Sequence, residues 1–555
     1  HNNIRTMTSA ITRAYAPFEP AWSRFHEFAA PLASSSGAGA AAGGESAQNS
    51  HPYNRQYSHV YSARLKLLRR RCIQNAQQAL KDDGADTDAD VVDRVIEVKE
   101  GALSIVVGTI VKEMDPKRRP PVKSTYTDAS AQTFLFPSDD KKAEKQEPLR
   151  SLMFDKDKGD VLHLEDESGR VELASDANVA GETKHSNLLD PNKVATGVVA
   201  AVVGKVDSGT GVMHVHSIHF AGPPPVEKVP STKEGLRGAS IGDEEQNDPI
   251  LLLVSGLGCG SDSPTDAETG ASLSLRREML LEYLTNSQLG DGSSICRVIV
   301  AGGGITAAVD TAEDKENTKK ASSNNLTKTK SGKYDSTANV TYSLRELDCY
   351  ISEILSSGIP VDYIPGWNDP TNANWPQRPL HSCLLPNSVG FVDLFRRSTN
   401  PYESDCCGAK VLGSDGLNVA DLRRFLPKKC DGGDDEVSDD GSEVKVSPSS
   451  SIDALHQTLN ISHMAPTGPD SLPTFPSSET DPFVMTSKPA VYFVGNCDEF
   501  EARLVGEKGE SIDTAADTGA TRLVCVPSFA STGEVVLVNL RTLECDVVSF
   551  SDVSP

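Results

Sequence analysis

The feature that most limits which fold this chain can adopt is a repeated order of apolar strand, helix and apolar strand between residues 249 and 364. Short apolar runs at 250–254, 297–301 and 360–364 each end at a turn that contains glycine. Between them, apolar residues recur at helical spacing over about 272–284 and 342–356. Strands that alternate with helices in this way form parallel sheets with right-handed crossovers, so we predict an α/β domain with a parallel core.

The turns that follow these strands are where chemistry is expected. Ligands of open α/β sheets bind at the carboxyl ends of the parallel strands. The residues at those ends are Ser255, Gly256 and Leu257 after the first strand, Gly302 and Gly303 after the second, Trp367, Asn368 and Asp369 after the third, and Asn496 after a later strand. A centre with two cations about 3.5–4 Å apart needs several carboxylates and imidazoles. Only Asp369, Asn368 and Asn496 could ligate a metal, so we predict no metal, no cofactor and no catalytic residue.

Two other catalytic patterns fail on the same stretch. The Gly256-Leu257-Gly258 turn follows a strand, but a dinucleotide-binding fingerprint needs glycine at position 261, where Ser261 stands. None of these strand ends carries the G-x-S-x-G turn of serine hydrolases.

The part before residue 222 follows a different pattern. Residues 91–221 contain five or six short strands with glycine-rich turns, which predicts a small barrel, and an OB-fold fits best by length. Residues 52–90 include an amphipathic helix with Leu65, Leu68 and Cys72 on its apolar face. We expect this helix to pack on the barrel and to expose a basic face that includes Arg64 and Arg69.

Several segments lack any periodic pattern. Residues 1–51, rich in Ala, Ser and Gly from 31 onward, are predicted to be a disordered tail, and the proline-rich residues 222–248 a linker. Within the domain at 249–555, a lysine-rich tract at 310–337 and an acidic tract at 428–451 are predicted to be disordered insertions. Further strands begin near Ala490, Arg522 and Val535, and we expect them to form a second, largely antiparallel sheet packed on the first.

Charge and composition limit the classes of partner. The net charge of −24 opposes strong binding to a phosphate backbone and suits a protein partner with a basic face. The 11 cysteines contain no C-x-x-C pair, which is typical of reduced thiols in an intracellular compartment. No apolar run approaches the ~20 residues that a membrane helix needs, so we predict no membrane segment.

The order of several motifs resembles one family closely. RQYSHVY, LLVSGLG, VDYIPGWNDPTNANWPQRPLH, LGSDGLNVADL, ISHMAPTGPDSL and VYFVGN occur in the order found in the small regulatory subunits (B-subunits) of DNA polymerase delta. The resemblance covers most of residues 52–550. It implies an OB-fold barrel followed by an inactivated calcineurin-like phosphoesterase domain, a two-sheet α/β sandwich. An active phosphoesterase has Gly-Asn-His-Asp or Gly-Asn-His-Glu where this chain has Gly366-Trp367-Asn368-Asp369, so the strand-end residues named above are degenerate former metal-site positions.

The resemblance also implies a function. Family members are non-catalytic scaffold subunits in the nucleus that serve DNA replication, repair and translesion synthesis. They hold the cysteine-rich C-terminal domain of the catalytic subunit and a third accessory subunit that reaches the sliding clamp, and polymerase zeta shares them. Three alternatives stay open: an active metallophosphoesterase or nuclease that uses Asp369, a single-strand-binding module, and a B-subunit of polymerase alpha or epsilon.

Overall fold

The computed structural model describes Phe25 and residues 57–82, 89–114, 152, 154–156, 159–175, 189–226, 248–260, 273–286, 294–305, 336–426, 449–476, 480–514 and 519–550. Apart from Phe25, the predicted tail at 1–51 lies outside the described residues. Most of the predicted linker and most of each predicted insertion also lie outside them. The predicted acidic insertion is too long, because residues 449–451 are buried or half-buried and a helix begins at Ser451. None of the helices in the described part of the chain combines the length and the apolar character that a membrane span requires.

The amino-terminal part is one long helix on a barrel. Helix α1 spans Ser58–Asp82, and the strands of the barrel sheet are β1 (Asp90–Val92), β2 (Leu103–Glu113), β3 (Val161–Glu165), β4 (Arg170–Ser175), β5 (Val199–Val206) and β6 (Met213–His219). The order β2-β3-β4-β6-β5 closes on itself because β5 also pairs with β2. This closure removes the sheet edges and encloses apolar side chains such as Ile110, Leu164 and Val202.

The remaining strands form two sheets. They are β7 (Pro249–Val254), β8 (Ser294–Ala301), β9 (Val361–Ile364), β10 (Phe395–Arg397), β11 (Tyr402–Cys406), β12 (Ala409–Ser414), β13 (Val491–Cys497), β14 (Glu501–Val505), β15 (Thr521–Pro527), β16 (Glu534–Asn539) and β17 (Cys545–Ser549). The first sheet has the order β10-β9-β8-β7-β16-β17, and the second has the order β11-β12-β13-β15-β14. Strands β7 to β10 are parallel to one another, which confirms the predicted parallel core.

Helices cover the outer faces of both sheets. Helices α2 (Leu273–Asn286) and α3 (Ser336–Ser356) share an apolar core with the first sheet, and α4 (Leu417–Arg423) and α5 (Ser451–Asn460) share one with the second. A short helix, α6 (Phe529–Thr532), follows β15. A third core lies between the sheets and includes Leu253, Ile299, Val411, Phe493 and Val524. The carboxyl-terminal part is therefore a two-sheet α/β sandwich.

Two expectations about the last third were wrong. The centre of the second sheet is parallel, since β12, β13 and β15 run in the same direction. The strand near Val535 was expected in the second sheet, but this strand is β16, which lies in the first sheet between β7 and β17 and is antiparallel to both. Both sheets present the same kind of apolar strand to a common core, so apolar pattern alone does not assign a strand to one of them.

The expectation for Arg64 was also wrong. Leu65, Leu68 and Cys72 are buried against the barrel as expected, but the Arg64 side chain is 1% exposed instead of solvated. Its Nε atom donates a hydrogen bond to Asp481 Oδ2 at 2.7 Å. Arg69 is half-buried, and the basic residues Lys66 and Arg70 of the same helix are exposed.

The barrel and the sandwich share a core. Met114, Ala195 and Val198 of the barrel part belong to the same buried cluster as Leu455 and Phe483 of the sandwich. Arg64 adds polar contacts at this junction, because it also donates to the carbonyl oxygens of residues 197, 466 and 468 at 2.7–2.9 Å.

Candidate functional site

The strand-end loops of both sheets meet at one edge of the sandwich. The Gly256 amide donates to the Gly302 carbonyl at 2.9 Å, and the Gly302 amide donates to the Ile364 carbonyl at 3.0 Å. From the second sheet, Asn496 Nδ2 donates to the carbonyl oxygens of Ala301 at 3.2 Å and of Asp415 at 2.9 Å. The structure therefore brings together the strand ends that the sequence singled out.

The loops touch through glycine backbone. A Cβ atom on Gly303 would lie 2.9 Å from Gly256 Cα, and one on Gly366 would lie 2.8 Å from Gly302 Cα. Gly302 and Gly303 also have φ of 73° and 69°, a left-handed conformation that favours glycine. Backbone atoms thus occupy the space into which strand-end side chains of a metal site would project.

Asp369 lies inside this cluster. Its Oδ2 atom accepts a hydrogen bond from the Gly366 amide at 2.7 Å, and its Oδ1 atom accepts one from the Ile305 amide at 3.4 Å. The side chain is buried, and burial raises the pKa of its carboxyl group to about 6, although the two backbone donors oppose the rise.

A second buried carboxylate, Asp415, was missed by the sequence analysis. It follows β12, and its Oδ1 atom accepts hydrogen bonds from Asn400 Nδ2 at 2.7 Å and from the Leu417 amide at 3.3 Å. The Trp367 amide donates to the same carboxylate. Burial raises the pKa of Asp415 to about 6. The signal was present in the sequence, because Asp415-Gly416 ends an apolar strand just as the other site residues do.

The other predicted positions serve the packing of the loops. The Ser255 hydroxyl donates to the Pro527 carbonyl at 2.9 Å and accepts from the Asn496 amide at 2.9 Å. Leu257 is 0% exposed in the core under the first sheet. Trp367 is exposed and Asn368 half-buried, so the loop that holds Asp369 turns the Trp367 side chain towards solvent.

The arrangement has few means of holding a cation. Both Asp369 and Asp415 accept hydrogen bonds from backbone amides, which occupy oxygen positions that a metal would use. Within the described part of the chain, no group of three or more His, Cys, Asp or Glu side chains is placed to hold a metal ion. Structural zinc sites have four protein ligands and catalytic zinc sites have three.

Comparison with protein families agrees with this architecture. Residues 56–218 match the family model of the DNA polymerase delta subunit OB-fold domain. Residues 251–502 match the family model of the DNA polymerase alpha/epsilon B-subunit. A barrel of the first kind followed by a domain of the second defines a DNA polymerase B-subunit.

Individual relatives make the assignment more specific. The chain is 32% identical to the DNA polymerase delta small subunit of Arabidopsis thaliana over 503 residues, which cover 89% of this chain and 91% of the relative. It is 30% identical to the small subunit of Oryza sativa subsp. japonica, over 89% of this chain and 93% of that relative. The small subunit of Saccharomyces cerevisiae is 28% identical, over 89% of each chain.

The chain belongs to the DNA polymerase delta small subunit family. It is an accessory subunit of polymerase delta in DNA replication and assembles with other subunits of that polymerase. The predicted family and the predicted OB-fold are confirmed.

Proposed function

We propose that this chain is a non-catalytic scaffold subunit of polymerase delta that acts in the nucleus. It holds the cysteine-rich C-terminal domain of the catalytic subunit on one side and the accessory subunit that reaches the sliding clamp on another. The same surfaces serve repair synthesis and translesion synthesis, the latter with the catalytic subunit of polymerase zeta. The observation that carries the proposal is the contact of glycine loops at the strand ends, where a Cβ on Gly302 would lie 2.9 Å from Gly366 Cα and one on Gly366 would lie 2.8 Å from Gly302 Cα.

The sandwich at 249–555 is, in this proposal, a phosphoesterase scaffold that has lost its metals. Its two sheets and the parallel order of β7, β8 and β9 support this origin. The proposal also includes the domain limits that were predicted from the sequence.

The scaffold role is tested by assembly of three purified chains. The catalytic subunit's C-terminal domain and the clamp-reaching subunit are mixed with and without this chain, and complexes are separated by size-exclusion chromatography. We expect the two partners to co-elute only when this chain is present. Direct co-elution of the two partners in its absence would contradict a bridging role.

An active metallophosphoesterase is the second candidate, because Asp369 and Asp415 are two buried carboxylates at converging strand ends. Metal analysis of the pure chain and a phosphodiester assay with added Mn²⁺ separate the two candidates. The scaffold proposal expects less than stoichiometric metal and no turnover above the blank. Stoichiometric Mn or Fe, with turnover that Asp369→Ala abolishes, would establish the enzyme instead.

A single-strand-binding role for the barrel is tested separately. The net charge of −24 repels a phosphate backbone, so the isolated chain is expected to bind oligonucleotides more weakly than micromolar at physiological salt. Fluorescence anisotropy with a labelled single strand measures the Kd, and a submicromolar value would favour the binding module.

A further inference from the structure

Three cysteines meet between the two sheets, at the end of the sandwich opposite the strand-end loops. Cys296 is near the amino end of β8, and Cys406 and Cys407 are at the turn between β11 and β12. Cys296 and Cys407 are both partly exposed and pack against the core between the sheets. Tyr402, on the strand that ends at Cys406, has its hydroxyl 3.9 Å from Cys406 Sγ and donates to Asp362 Oδ2 at 2.7 Å. Asp362 of β9 also accepts from Arg297, the residue that follows Cys296, so the turn of the second sheet lies against this end of β8. The Cys296 and Cys407 thiols are close enough there to change each other's pKa.

Each of the two thiols lies at a backbone irregularity. The pairing of β7 with β8 shifts register between Ile250 and Leu251, which pair with Ile295 and Arg297 and leave Cys296 without a partner residue in that ladder. Such a bulge redirects a side chain relative to a regular ladder. Cys407 has a φ of 51°, a conformation that few residues other than glycine adopt. Local backbone geometry in both sheets therefore sets the directions of the two side chains.

The surroundings of the two thiols differ in a way that suits thiol chemistry. The hydrogen bond from Cys296 lowers the pKa of Cys407 and outweighs burial, which raises it. The nearby Arg297 guanidinium also favours the thiolate, and Asp405 opposes it. The pKa of Cys296 is raised by the same hydrogen bond and by burial. Cys406 is buried, and burial raises its pKa to about 12. Cys407 is therefore the thiol of this group that is most readily ionised.

We propose that Cys296 and Cys407 are a redox pair that forms a reversible disulfide between the two sheets when the protein meets hydrogen peroxide. The Cys407 thiolate attacks one peroxide oxygen, an S–O bond forms, the O–O bond breaks, and the departing hydroxide takes up a proton. The Cys296 sulfur then attacks the sulfenic sulfur of Cys407. The S–S bond forms as the S–O bond breaks, and the departing hydroxide leaves as water with the Cys296 proton. Two thiols are oxidised and one peroxide is reduced to two waters.

The cross-link has a structural consequence. It joins the first sheet to the second and closes a long loop that contains α3, β9 and β10. Closing a long loop restricts the unfolded chain, so oxidation is expected to stabilise the folded subunit. A dithiol reductant restores the starting state.

The experiment is performed on the full-length chain. The protein is treated with hydrogen peroxide, free thiols are blocked with iodoacetamide, and a tryptic digest is compared by mass spectrometry before and after reduction. We expect a linked peptide pair that joins residues 296 and 407 and disappears on reduction. The thermal unfolding midpoint of the oxidised protein is expected to rise by several degrees and to fall back with reductant.

Matched variants separate this pair from the other thiols. Cys407→Ser lies in a surface turn and removes both the linked peptide and the rise in midpoint, whereas Cys349→Ser, at an exposed position of α3, changes neither. Cys296→Ala provides a second test should one variant fold poorly. Linkage of Cys406 to Cys407, linkage between two chains, or over-oxidation of Cys407 without a link to Cys296 would each overturn the proposal.

Discussion

Gly366 lies at the point where the loops after β8 and β9 touch. A Cβ atom there would lie 2.7 Å from the Gly303 amide nitrogen and 2.8 Å from Gly302 Cα, and these are backbone atoms that have no rotamer to change. We expect Gly366→Ala to lower the free energy of unfolding by about 1–3 kcal/mol, the usual range for overpacking. Chemical denaturation measures the change. Gly390→Ala is the control, because nothing lies within 4 Å of the added carbon, and an equal loss in both variants would contradict the close contact.

The two buried carboxylates predict a pH dependence. Burial raises the pKa of Asp369 from 3.8 to about 6, so the folded state holds this proton more tightly than the unfolded state. The stabilisation is complete below pH 4 and is lost as the pH rises towards 6 and above. Asp369→Asn does not titrate, so the difference in unfolding free energy between native protein and variant should change between pH 4 and pH 6 and be constant above pH 7.

The sign of this effect distinguishes it from acid denaturation. Asp481, held between Arg64 and His463, has its pKa lowered, and its contribution is lost only as the pH falls below about 4. Denaturation curves at half-unit pH steps resolve the two windows. Asp393→Asn, at an exposed position, serves as the control, and a constant difference between native protein and Asp369→Asn across pH 4–6 would show that Asp369 does not bind its proton as described.

At the scale of elements, α1 offers two adjacent leucines in opposite environments. Leu68 is 2% exposed against the barrel, and Leu67 is 46% exposed. We expect Leu68→Ala to reduce the free energy of unfolding by about 2–5 kcal/mol because it leaves a cavity, and Leu67→Ala to change it by less than about 1 kcal/mol. Urea denaturation of both variants measures this. Similar losses in the two would mean that α1 is not packed on the barrel through this face.

The elements also show where sequence reasoning succeeds. Helical spacing and turn glycines located α2, α3 and the parallel strands β7 to β9, because these signals lie within a few residues of one another. The partner of β16 and the burial of Arg64 depend on residues hundreds of positions away, namely those of β7 and Asp481. Asp415 was not predicted as a site residue for the same reason, because its strand lies in the other sheet. Local pattern identifies an element, but long-range packing decides its neighbours.

At the scale of the whole molecule, Arg64 joins the barrel to the sandwich. Its guanidinium donates to Gly197 of the barrel part and to Asp481, Pro466 and Gly468 of the sandwich. Arg64→Met leaves the Asp481 carboxylate buried without its arginine, and removal of one partner of a buried ion pair costs about 3–5 kcal/mol. Because the Arg64 hydrogen bonds connect the barrel and the sandwich, their loss is expected to increase local unfolding in both parts. The two parts are therefore expected to respond as one unit.

Hydrogen exchange with mass spectrometry follows each part of the junction separately. In Arg64→Met, exchange should become faster both in peptides from residues 195–206 and in peptides from residues 462–476. Lys66→Met on the same helix is the matched control, because Lys66 is exposed, and exchange in both regions should stay unchanged. Faster exchange confined to α1 would mean that the barrel and the sandwich are held together by their shared apolar core, with Met114, Val198 and Phe483 sufficient to keep them joined.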